Sequence, residues 1–184
     1  MLKPAVFLDR DGTIAEDVGY LNHISRFRMF PFVAAAVRRL NEAGVAVMVV
    51  TNQSGVGRGY FPEKLVHEVH ALMKAQLAEA GARIDAVYFC THTSADACEC
   101  RKPKTGMLER ATREHGIDLT RSFVVGDRYG DIELAHRAGA RGVLVRTGYG
   151  EGEIAWHAGE WAVQPHHIAE NLSAATDWIL EQSR

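Results

Sequence analysis

Short apolar runs alternate with amphipathic segments along the whole chain, and this alternation restricts the fold more than any other feature of the sequence. Most of the runs are continuously apolar, which is typical of strands that are covered on both faces. The predicted strands occupy residues 5–8, 45–50, 86–90, 122–125 and 142–146, with a weaker candidate at residues 161–163. A sheet buried inside the protein is therefore expected.

Amphipathic helices are predicted between the strands, because apolar residues recur there at helical spacing. Proline or glycine marks several of their ends. Alternation of this kind implies right-handed crossovers and an α/β fold, a doubly wound and mostly parallel sheet with helices on both faces. The predicted helices lie at residues 33–40 before Gly44, 65–77 after Pro62, 105–115 before Gly116 and 132–138 before Gly139, and a last one includes Ile168, Leu172, Ala175 and Ile179.

Length and charge narrow the classes of function. With 184 residues the chain is expected to form one domain, residues 1–184. Its 21 basic and 23 acidic residues leave a formal net charge of −2, so neither nucleic acid nor a membrane surface is an expected partner. No apolar run is long enough to cross a membrane, and after Met1 the chain enters the first strand without a secretory signal. We therefore expect a cytoplasmic protein.

The residues that come directly after the first, second and fourth predicted strands are rich in side-chain oxygens. Residues 9–13 read Asp-Arg-Asp-Gly-Thr, residues 51–55 read Thr-Asn-Gln-Ser-Gly, and residues 126–131 read Gly-Asp-Arg-Tyr-Gly-Asp. Taken singly, each run is also compatible with a surface turn or a helix cap. Ligands of a parallel sheet bind at the carboxyl ends of its strands, so the three runs together predict one site at one edge.

Four carboxylates, those of Asp9, Asp11, Asp127 and Asp131, would meet at this edge. They would repel one another strongly unless a cation neutralised them. A cluster of oxygen ligands suits Mg²⁺, which retains waters and also binds substrate phosphate. Lys102, in the basic loop before the fourth strand, supplies a positive charge where a transferring phosphoryl group needs one. These residues predict a magnesium-assisted phosphoryl-transfer site.

Other phosphate-binding patterns fit poorly. The chain has no P-loop motif, and the glycines at residues 55–59 and 148–152 are spaced G-x-G-x-G, unlike the dinucleotide-binding fingerprint. Both glycine runs are interpreted as mobile loops. His23, His67 and His70 have no partners at metal-ligand spacing and are interpreted as ordinary surface residues.

The three cysteines, Cys90, Cys98 and Cys100, fall in one window of eleven residues, and His92 lies between the first two. An odd number of cysteines in a protein expected in the cytoplasm favours a metal over disulfides. Three thiolates and one imidazole suit structural Zn²⁺, and four protein ligands leave no open position for catalysis. The loop at residues 90–100 is therefore predicted to hold a zinc that orients the basic loop after it. Buried or oxidisable thiols beside a chance histidine are the alternative.

The runs at the strand ends resemble the four motifs of haloacid-dehalogenase-type phosphatases. Residues 9–13 resemble the first motif, Thr51 and Asn52 the second, Lys102 the third and residues 126–131 the fourth, in the family's order and over nearly the whole chain. This resemblance implies a Rossmann-like haloacid dehalogenase fold. The short span between the first and second strands leaves no room for a large cap domain, as in the capless branch of the family.

The resemblance also implies a mechanism through an aspartyl-phosphate. Asp9 would attack phosphorus, and Asp11 would protonate the leaving oxygen and later activate water. The side chains of Asp9 and Asp127 and the backbone carbonyl of Asp11 would hold Mg²⁺, with Asp131 as a support. The oxygens of the phosphoryl group would be bound by Thr51, Asn52 and Lys102.

Within the capless branch, two groups of relatives carry a zinc loop. One group acts on heptose bisphosphates and the other on histidinol phosphate. Residues 17–20, 51–61 and 101–107 resemble the first group, whereas the short C-x-H-x₅-C-x-C spacing resembles the second. We expect a heptose bisphosphate as the substrate of a monomeric enzyme, with histidinol phosphate or another small phosphomonoester as the alternative.

The sugar side of the substrate would be lined by residues from several of these loops. Arg101 would bind the distal phosphate, because a guanidinium can do so with two hydrogen bonds. The residues expected to contact the substrate are Arg10, Asp17, Gly19, Tyr20, Gln53, Ser54, Arg101 and Arg128.

Two other classes of function stay open at this point. One is a receiver-like domain that holds an aspartyl-phosphate, and the other is a zinc-organised binding module without turnover. In a receiver the phosphoryl group must persist, whereas an acid and base at Asp11 should hasten its hydrolysis. The binding module leaves the strand-end motifs without a purpose.

Overall fold

A computed structural model describes residues 2–182, so Met1 lies outside the described residues. Its strands are β1 Ala5–Leu8, β2 Ala46–Asn52, β3 Ala86–Cys90, β4 Phe123–Gly126, β5 Arg141–Val145 and β6 His167–Ala169. These strands form one sheet in the order β3-β2-β1-β4-β5-β6, and every neighbouring pair is parallel. The predicted doubly wound parallel sheet is confirmed.

Helices connect the strands and cover both faces of the sheet. They are α1 Val33–Glu42, α2 Ser54–Gly57, α3 Glu63–Glu79, α4 Gly106–His115, α5 Tyr129–Ala138, α6 Gly150–His157 and α7 Leu172–Gln182. Within residues 2–182, none of the helices is long and apolar enough to span a membrane.

Alternate residues of the strands pack against opposite layers of helices. Val6 and Leu8 of β1 belong to the apolar cluster of α1, α3 and α7, whereas Ala5 and Phe7 belong to that of α4 and α5. All four side chains are fully buried. Burial on both faces explains why the strands are continuous apolar runs in the sequence.

The direction of the crossovers changes between β1 and β4. Strand β1 pairs with β2 on one side and with β4 on the other, where Leu8 lies opposite Val125. The Asp9 N–H continues the pairing and donates to the Val125 carbonyl at 2.9 Å. The chain beyond the two strands therefore brings Asp9 and Asp127 to one crevice, the usual ligand-binding position in open parallel sheets.

The connection between β1 and α1, residues 9–32, is too small to form a cap domain. It contains a 3₁₀ turn at Ile24–Arg26 and isolated bridges that join Ala15 to Asp11 and to Met29. The expectation of a fold without a large cap is confirmed.

The weaker strand prediction at residues 161–163 is wrong. The edge strand is His167–Ala169, and Ile168, which was expected in the last helix, belongs to this strand. Trp161 joins a small apolar cluster with Leu144 instead of a strand. An edge strand of three residues offers too short an apolar run for its period to be recognised.

The interpretation of the two glycine runs as mobile loops is also wrong, because α2 and α6 begin there. Glycine at these positions permits close contacts between backbone segments. A Cβ at Gly150 would overlap the Val145 carbonyl, and a Cβ at Gly57 would overlap the Thr91 carbonyl. The glycines therefore allow helices to pack near the ends of β5 and β3.

Candidate active site

Three carboxylates and one ammonium group meet at the crevice between β1 and β4. Lys102 Nζ lies 3.0 Å from Asp9 Oδ1 and 2.6 Å from Asp131 Oδ1. One oxygen each from Asp9, Asp127 and Asp131 lie within 4.8 Å of one another. All four side chains are buried. The structure thus brings together acidic and basic residues that are up to 122 positions apart, from Asp9 to Asp131.

Glycines leave the space that these carboxylates need. A Cβ at Gly12 or at Gly148 would overlap the Asp127 carboxylate, and a Cβ at Gly126 would overlap that of Asp131. Gly12 and Gly148 also have positive φ angles of 83° and 60°, which other residues rarely adopt. The close approach of the loops therefore depends on glycine.

Burial and mutual repulsion set the protonation of the cluster. Burial raises the pKa of Asp9 to about 6, although Lys102 opposes this shift. Burial, reinforced by Asp9 and Asp131, raises the pKa of Asp127 to about 8. Burial would lower the pKa of Lys102, but Asp131 and Asp9 outweigh it and raise that pKa above its ordinary value. One lysine therefore does not offset the charge of three carboxylates.

Asp127 offers an oxygen that could bind a cation. Its Oδ2 accepts a hydrogen bond from the Tyr149 N–H at 2.8 Å, whereas Oδ1 is buried and has no hydrogen-bond partner among the described residues. A buried carboxylate oxygen without a partner is costly. Together with the carboxylate of Asp9, this oxygen fits the oxygen ligands that Mg²⁺ prefers.

Asp11 stands apart from the three clustered carboxylates and lines a cavity next to them. Arg10 holds both of its oxygens, with Nε at 3.1 Å from Oδ1 and Nη2 at 2.9 Å from Oδ2. Gln53 Nε2 donates to Asp11 Oδ2 at 2.9 Å and to Thr51 Oγ1 at 2.9 Å. Side chains from the ends of β1 and β2 therefore fix the Asp11 carboxylate.

Arg10, which was expected to contact the substrate, lies behind Asp11 and is not among the residues that line the cavity. Arg10 is only 1% exposed to solvent, and its Nη1 lies 3.3 Å from His70 Nε2. The interpretation of His70 as a surface residue is wrong, because it is 6% exposed. Burial, with Arg10 nearby, lowers the pKa of His70 to about 3. Its spacing from the buried Val66 and Met73 of α3 could have indicated this position.

Asn52 was expected to bind the phosphoryl group, and it does line the cavity. Its side-chain amide, however, is hydrogen-bonded to the backbone of Lys102. The structure thus shows that Asn52 positions the basic loop, while a direct contact between Asn52 and a phosphoryl group stays a prediction.

A cavity of about 520 Å³ opens beside these groups. It brings together most of the residues predicted from the strand ends, namely Asp9, Asp11, Thr51, Asn52, Gln53, Ser54, Lys102 and Asp131, with Asp17, Gly19, Tyr20, Arg101 and Arg128 around them.

Sequence reasoning missed four other residues of the cavity that carry useful chemistry. They are Arg58, Phe61, Tyr149 and Glu153. The first two lie within residues 51–61, which resemble the heptose group, but neither side chain was assigned to the site. Tyr149 and Glu153 lie in the glycine-rich segment around the start of α6. That segment was interpreted as a mobile loop, so neither residue was considered for the site.

Three arginines line the cavity and could bind a second anionic group. Arg101 Nη1 donates to the His92 carbonyl at 3.1 Å. Arg128 lies over the ring of Tyr149, 3.6 Å from its centroid. Within the described part of the chain, the guanidinium of Arg58 has no hydrogen-bond or ion-pair partner. Arg58 is therefore the least constrained of the three.

The predicted zinc ligands form a second cluster at the end of β3. Cys90 Sγ lies 3.8 Å from Cys98 Sγ and 3.5 Å from His92 Nδ1, which lies 3.3 Å from Cys100 Sγ. Tetrahedral Zn²⁺ separates sulfur and nitrogen ligand atoms by roughly 3.5–3.8 Å, given its bond lengths. The Cys90 and Cys100 sulfurs are closer, at 2.9 Å. The four side chains fit a tetrahedral zinc site with a small adjustment of this pair.

Backbone hydrogen bonds join the cysteine cluster to the phosphoryl site. The Gln53 N–H donates to the Cys90 carbonyl at 2.7 Å, and the Gly57 N–H donates to the Thr91 carbonyl at 3.0 Å. The basic loop follows Cys100 directly. The cluster can therefore fix the loops on two sides of the cavity.

Known proteins are similar to this chain in sequence. A family model described as HAD-hydrolase-like matches residues 99–175. The D-glycero-D-manno-heptose-1,7-bisphosphate 7-phosphatase of Thermosynechococcus vestitus is 45% identical over 190 residues, covering 97% of this chain and 96% of the relative. A D-glycero-beta-D-manno-heptose-1,7-bisphosphate 7-phosphatase of Yersinia pestis is 43% identical, covering 96% of this chain and 89% of the relative.

A solved structure is similar over the whole fold. The D,D-heptose 1,7-bisphosphate phosphatase from B. bronchiseptica, complexed with magnesium and phosphate, has a TM-score of 0.90 and 32% sequence identity, covering 97% of this chain and 99% of that chain. The resemblance to haloacid-dehalogenase-type phosphatases is thereby confirmed. The chain belongs to the haloacid-dehalogenase-like (HAD-like) hydrolases and is a phosphatase of that family.

Proposed function

We propose that this phosphatase removes the 7-phosphate of D-glycero-D-manno-heptose 1,7-bisphosphate through an aspartyl-phosphate on Asp9. The observation that carries the proposal is the position of Asp9, which contacts Lys102 and clusters with Asp127 beside a cavity that Asp11 also faces. The relatives that carry the name of this reaction support the choice of substrate.

Asp9 begins the reaction by in-line attack on phosphorus, and an ionised carboxylate needs no base for this step. Its Oδ1 accepts hydrogen bonds from the Arg10 N–H at 2.8 Å and from Lys102 Nζ. These contacts fix the carboxylate, so Oδ2 is the oxygen that we assign to the attack. The new bond to phosphorus forms as the bond from phosphorus to the sugar oxygen breaks.

Asp11 serves as the acid in the first half of the reaction and as the base in the second. It protonates the leaving sugar oxygen, and then takes a proton from the water that attacks the aspartyl-phosphate. Hydrolysis releases inorganic phosphate and restores the Asp9 carboxylate. Hydrolysis of the aspartyl-phosphate distinguishes a phosphatase from a receiver-like domain, in which this intermediate must persist.

Asp9, Asp127 and the backbone carbonyl of Asp11 would hold Mg²⁺, which places the phosphoryl group and offsets its charge when bound. Lys102 and the Thr51 hydroxyl bind other oxygens of the same group. Asp131 holds the ammonium of Lys102 in place. The buried, unpaired oxygen of Asp127 supports the assignment of the cation site.

The cavity of about 520 Å³ is of the size that small-molecule sites commonly have. We assign the distal phosphate to Arg101, with Arg58 as a second cation that lines the same cavity. Asp17, Tyr20 and Ser54 offer hydrogen-bonding groups to the sugar.

The proposal includes a structural zinc ion at the cysteine cluster, held by Cys90, His92, Cys98 and Cys100. Four protein ligands close the coordination sphere, so this metal takes no part in the chemistry. A cytoplasmic monomer is the form that we propose for the active enzyme.

The test is a phosphate-release assay with heptose bisphosphate, histidinol phosphate and a nucleoside monophosphate, with Mg²⁺ and then with chelator. We expect the highest kcat/KM for heptose bisphosphate, no turnover with chelator, and a product that keeps its phosphate at C1 by ³¹P NMR. A higher kcat/KM for histidinol phosphate would make that compound the substrate, which the short spacing of the cysteine loop favours.

A further inference from the structure

A buried histidine lies behind the acid and base of the proposed reaction. His70 projects from α3, and its Nε2 lies 3.3 Å from Arg10 Nη1. His67, one turn earlier on the same helix, has a side chain that is 63% exposed. The two histidines therefore differ in burial, and His70 is the one placed against the active site.

The contact between His70 and Arg10 has a defined polarity. A guanidinium has only donors, so Arg10 Nη1 must donate and His70 Nε2 must accept. The ring is consequently neutral with its proton on Nδ1. The lowered pKa of His70 is consistent with this state. His70 thus supplies an acceptor for one N–H of a guanidinium that is almost completely buried.

The same guanidinium reaches Asp11 through its other nitrogens. Nε and Nη2 hold the two carboxylate oxygens of Asp11, and Nη2 also donates to Gln53 Oε1 at 3.0 Å. Gln53 in turn donates to Asp11 Oδ2. The orientation of the Asp11 carboxylate therefore depends on where the guanidinium of Arg10 lies, and His70 contacts that guanidinium at Nη1, the nitrogen that does not bind Asp11.

We propose that His70 is a positioning residue, which sets the orientation of the Asp11 carboxylate through Arg10. The inference rests on the role of Asp11 in the proposed function. It goes beyond that function because it assigns a purpose to a residue on α3 that does not line the cavity and is not part of any of the four motifs.

The alternative is that His70 only fills space between α3 and the sheet, where its ring also lies 5.5 Å from that of Phe89. The two roles differ in their consequence for catalysis. Loss of a space-filling residue lowers all activities in proportion to the folded fraction. Misorientation of Asp11 affects only the steps that need proton transfer.

Substitution by glutamine and by asparagine separates these roles. The amide oxygen of glutamine can take the place of Nε2, whereas that of asparagine lies near the position of Nδ1 and does not face Arg10. Both replacements are polar and neutral, so neither places a new charge beside the buried guanidinium. His67→Asn is the matched control for the same substitution at an exposed position of α3.

The readout is the dependence on the leaving group. The sugar oxygen of heptose bisphosphate needs protonation, whereas 4-nitrophenolate leaves without it, and kcat/KM reports the steps up to departure of the leaving group. We expect His70→Asn to lower kcat/KM for heptose bisphosphate roughly ten- to hundredfold, the effect of a small misplacement of a catalytic group. For 4-nitrophenyl phosphate we expect a change within about twofold, and KM for heptose bisphosphate should change little. His70→Gln should retain most of the activity, and His67→Asn all of it.

Two outcomes would overturn the inference. The first is an equal loss of kcat/KM on both phosphates in His70→Asn, which indicates a space-filling role. The second is an unchanged kcat/KM in His70→Asn while Asp11→Asn loses activity on heptose bisphosphate. If Asp11→Asn itself retains full activity, the failure lies in the acid role of Asp11 and thus in the proposed function, and the inference falls with it.

Discussion

The side-chain amide of Asn52 holds both backbone polar atoms of Lys102. Asn52 Nδ2 donates to the Lys102 carbonyl at 3.2 Å, and Oδ1 accepts from the Lys102 N–H at 3.0 Å. The residue at the end of β2 thereby fixes the backbone from which the ammonium reaches Asp9 and Asp131. Strand β2 lies between β1 and β3, so the basic loop is anchored to the sheet itself.

Asn52→Ala should lower kcat by roughly tenfold or more, because it frees the backbone of Lys102 and displaces a group that must be accurately placed. The measurement is a double-mutant cycle with Lys102→Ala on the proposed substrate. If Asn52 acts through Lys102, the losses in the double variant will fall well short of the product of the single losses. Independent, multiplicative losses would instead indicate that Asn52 binds the phosphoryl group directly.

Asp9→Asn should abolish turnover and leave the fold intact, because it replaces the attacking carboxylate with a neutral amide of nearly equal size. Steady-state phosphate release measures the first effect, and the circular dichroism spectrum with the melting temperature measures the second. Removal of a negative charge from the buried cluster should not lower the melting temperature of the metal-free protein. Activity within about tenfold of the wild type would exclude Asp9 as the nucleophile.

Arg101→Ala should lower kcat/KM for heptose bisphosphate. The fall should correspond to a loss of roughly 1.5–3 kcal/mol of transition-state stabilisation, the range for a charge-assisted contact. Its effect on a heptose 7-monophosphate should be small, because only the distal phosphate would lose a partner. Arg58→Ala is the matched variant, since both guanidinium groups line the same cavity. A loss with the bisphosphate in Arg58→Ala alone would transfer the distal site to Arg58. Equal losses on the two substrates in Arg101→Ala would place Arg101 at the transferred phosphate.

The metal-free protein should lose stability as the pH rises. The pKa values of Asp9 and Asp127 are raised in the folded protein to about 6 and about 8, so folding takes up protons. Their stabilising contribution is complete below the unfolded pKa values near 3.8 and is lost as the pH passes through the folded ones. Bound Mg²⁺ should offset the charge, so its effect on the melting temperature should be larger at about pH 9 than at about pH 5.

Differential scanning fluorimetry in chelator and in Mg²⁺ checks this dependence. Asp127→Asn serves as the control, because it removes the carboxyl with the larger shift. In this variant the decline of metal-free stability with pH should be smaller. A shift with Mg²⁺ that is the same at both pH values would contradict a cation site in the cluster of Asp9, Asp127 and Asp131.

The site residues at the strand ends could be predicted because they lie in short contiguous segments of the sequence. Each run follows a strand whose apolar pattern is strong, and parallel strands end at one edge of the sheet. The cluster of Asp9, Asp127 and Lys102 needed only this rule and the spacing of the motifs. The same holds for the cysteine loop, since all of its predicted zinc ligands lie within residues 90–100.

Contacts between distant segments could not be predicted in this way. The buried guanidinium of Arg10 contacts His70 of α3, which is 60 positions away in the sequence. The sequence around a single histidine in a helix does not indicate which distant residue it contacts. The amide of Asn52 likewise binds the backbone of Lys102. A contact with backbone atoms does not depend on the identity of the partner residue, so the sequence does not indicate it. Strand β6 was not predicted because a short edge strand needs few apolar residues.

The purified protein should contain one Zn²⁺ per chain, and Cys98→Ser should lower activity and melting temperature together. The cysteine loop is hydrogen-bonded to Gln53 and Gly57 and leads directly into the basic loop, so its release should disturb both. EDTA should remove the Mg²⁺-dependent activity much faster than it removes zinc, because a closed site with thiolate ligands retains zinc strongly. Ser94→Ala, at an exposed position of the same loop, is the control and should leave both properties unchanged. Metal analysis that finds no zinc, or a Cys98→Ser variant with unaltered melting temperature and turnover, would show that the cluster does not hold a structural metal.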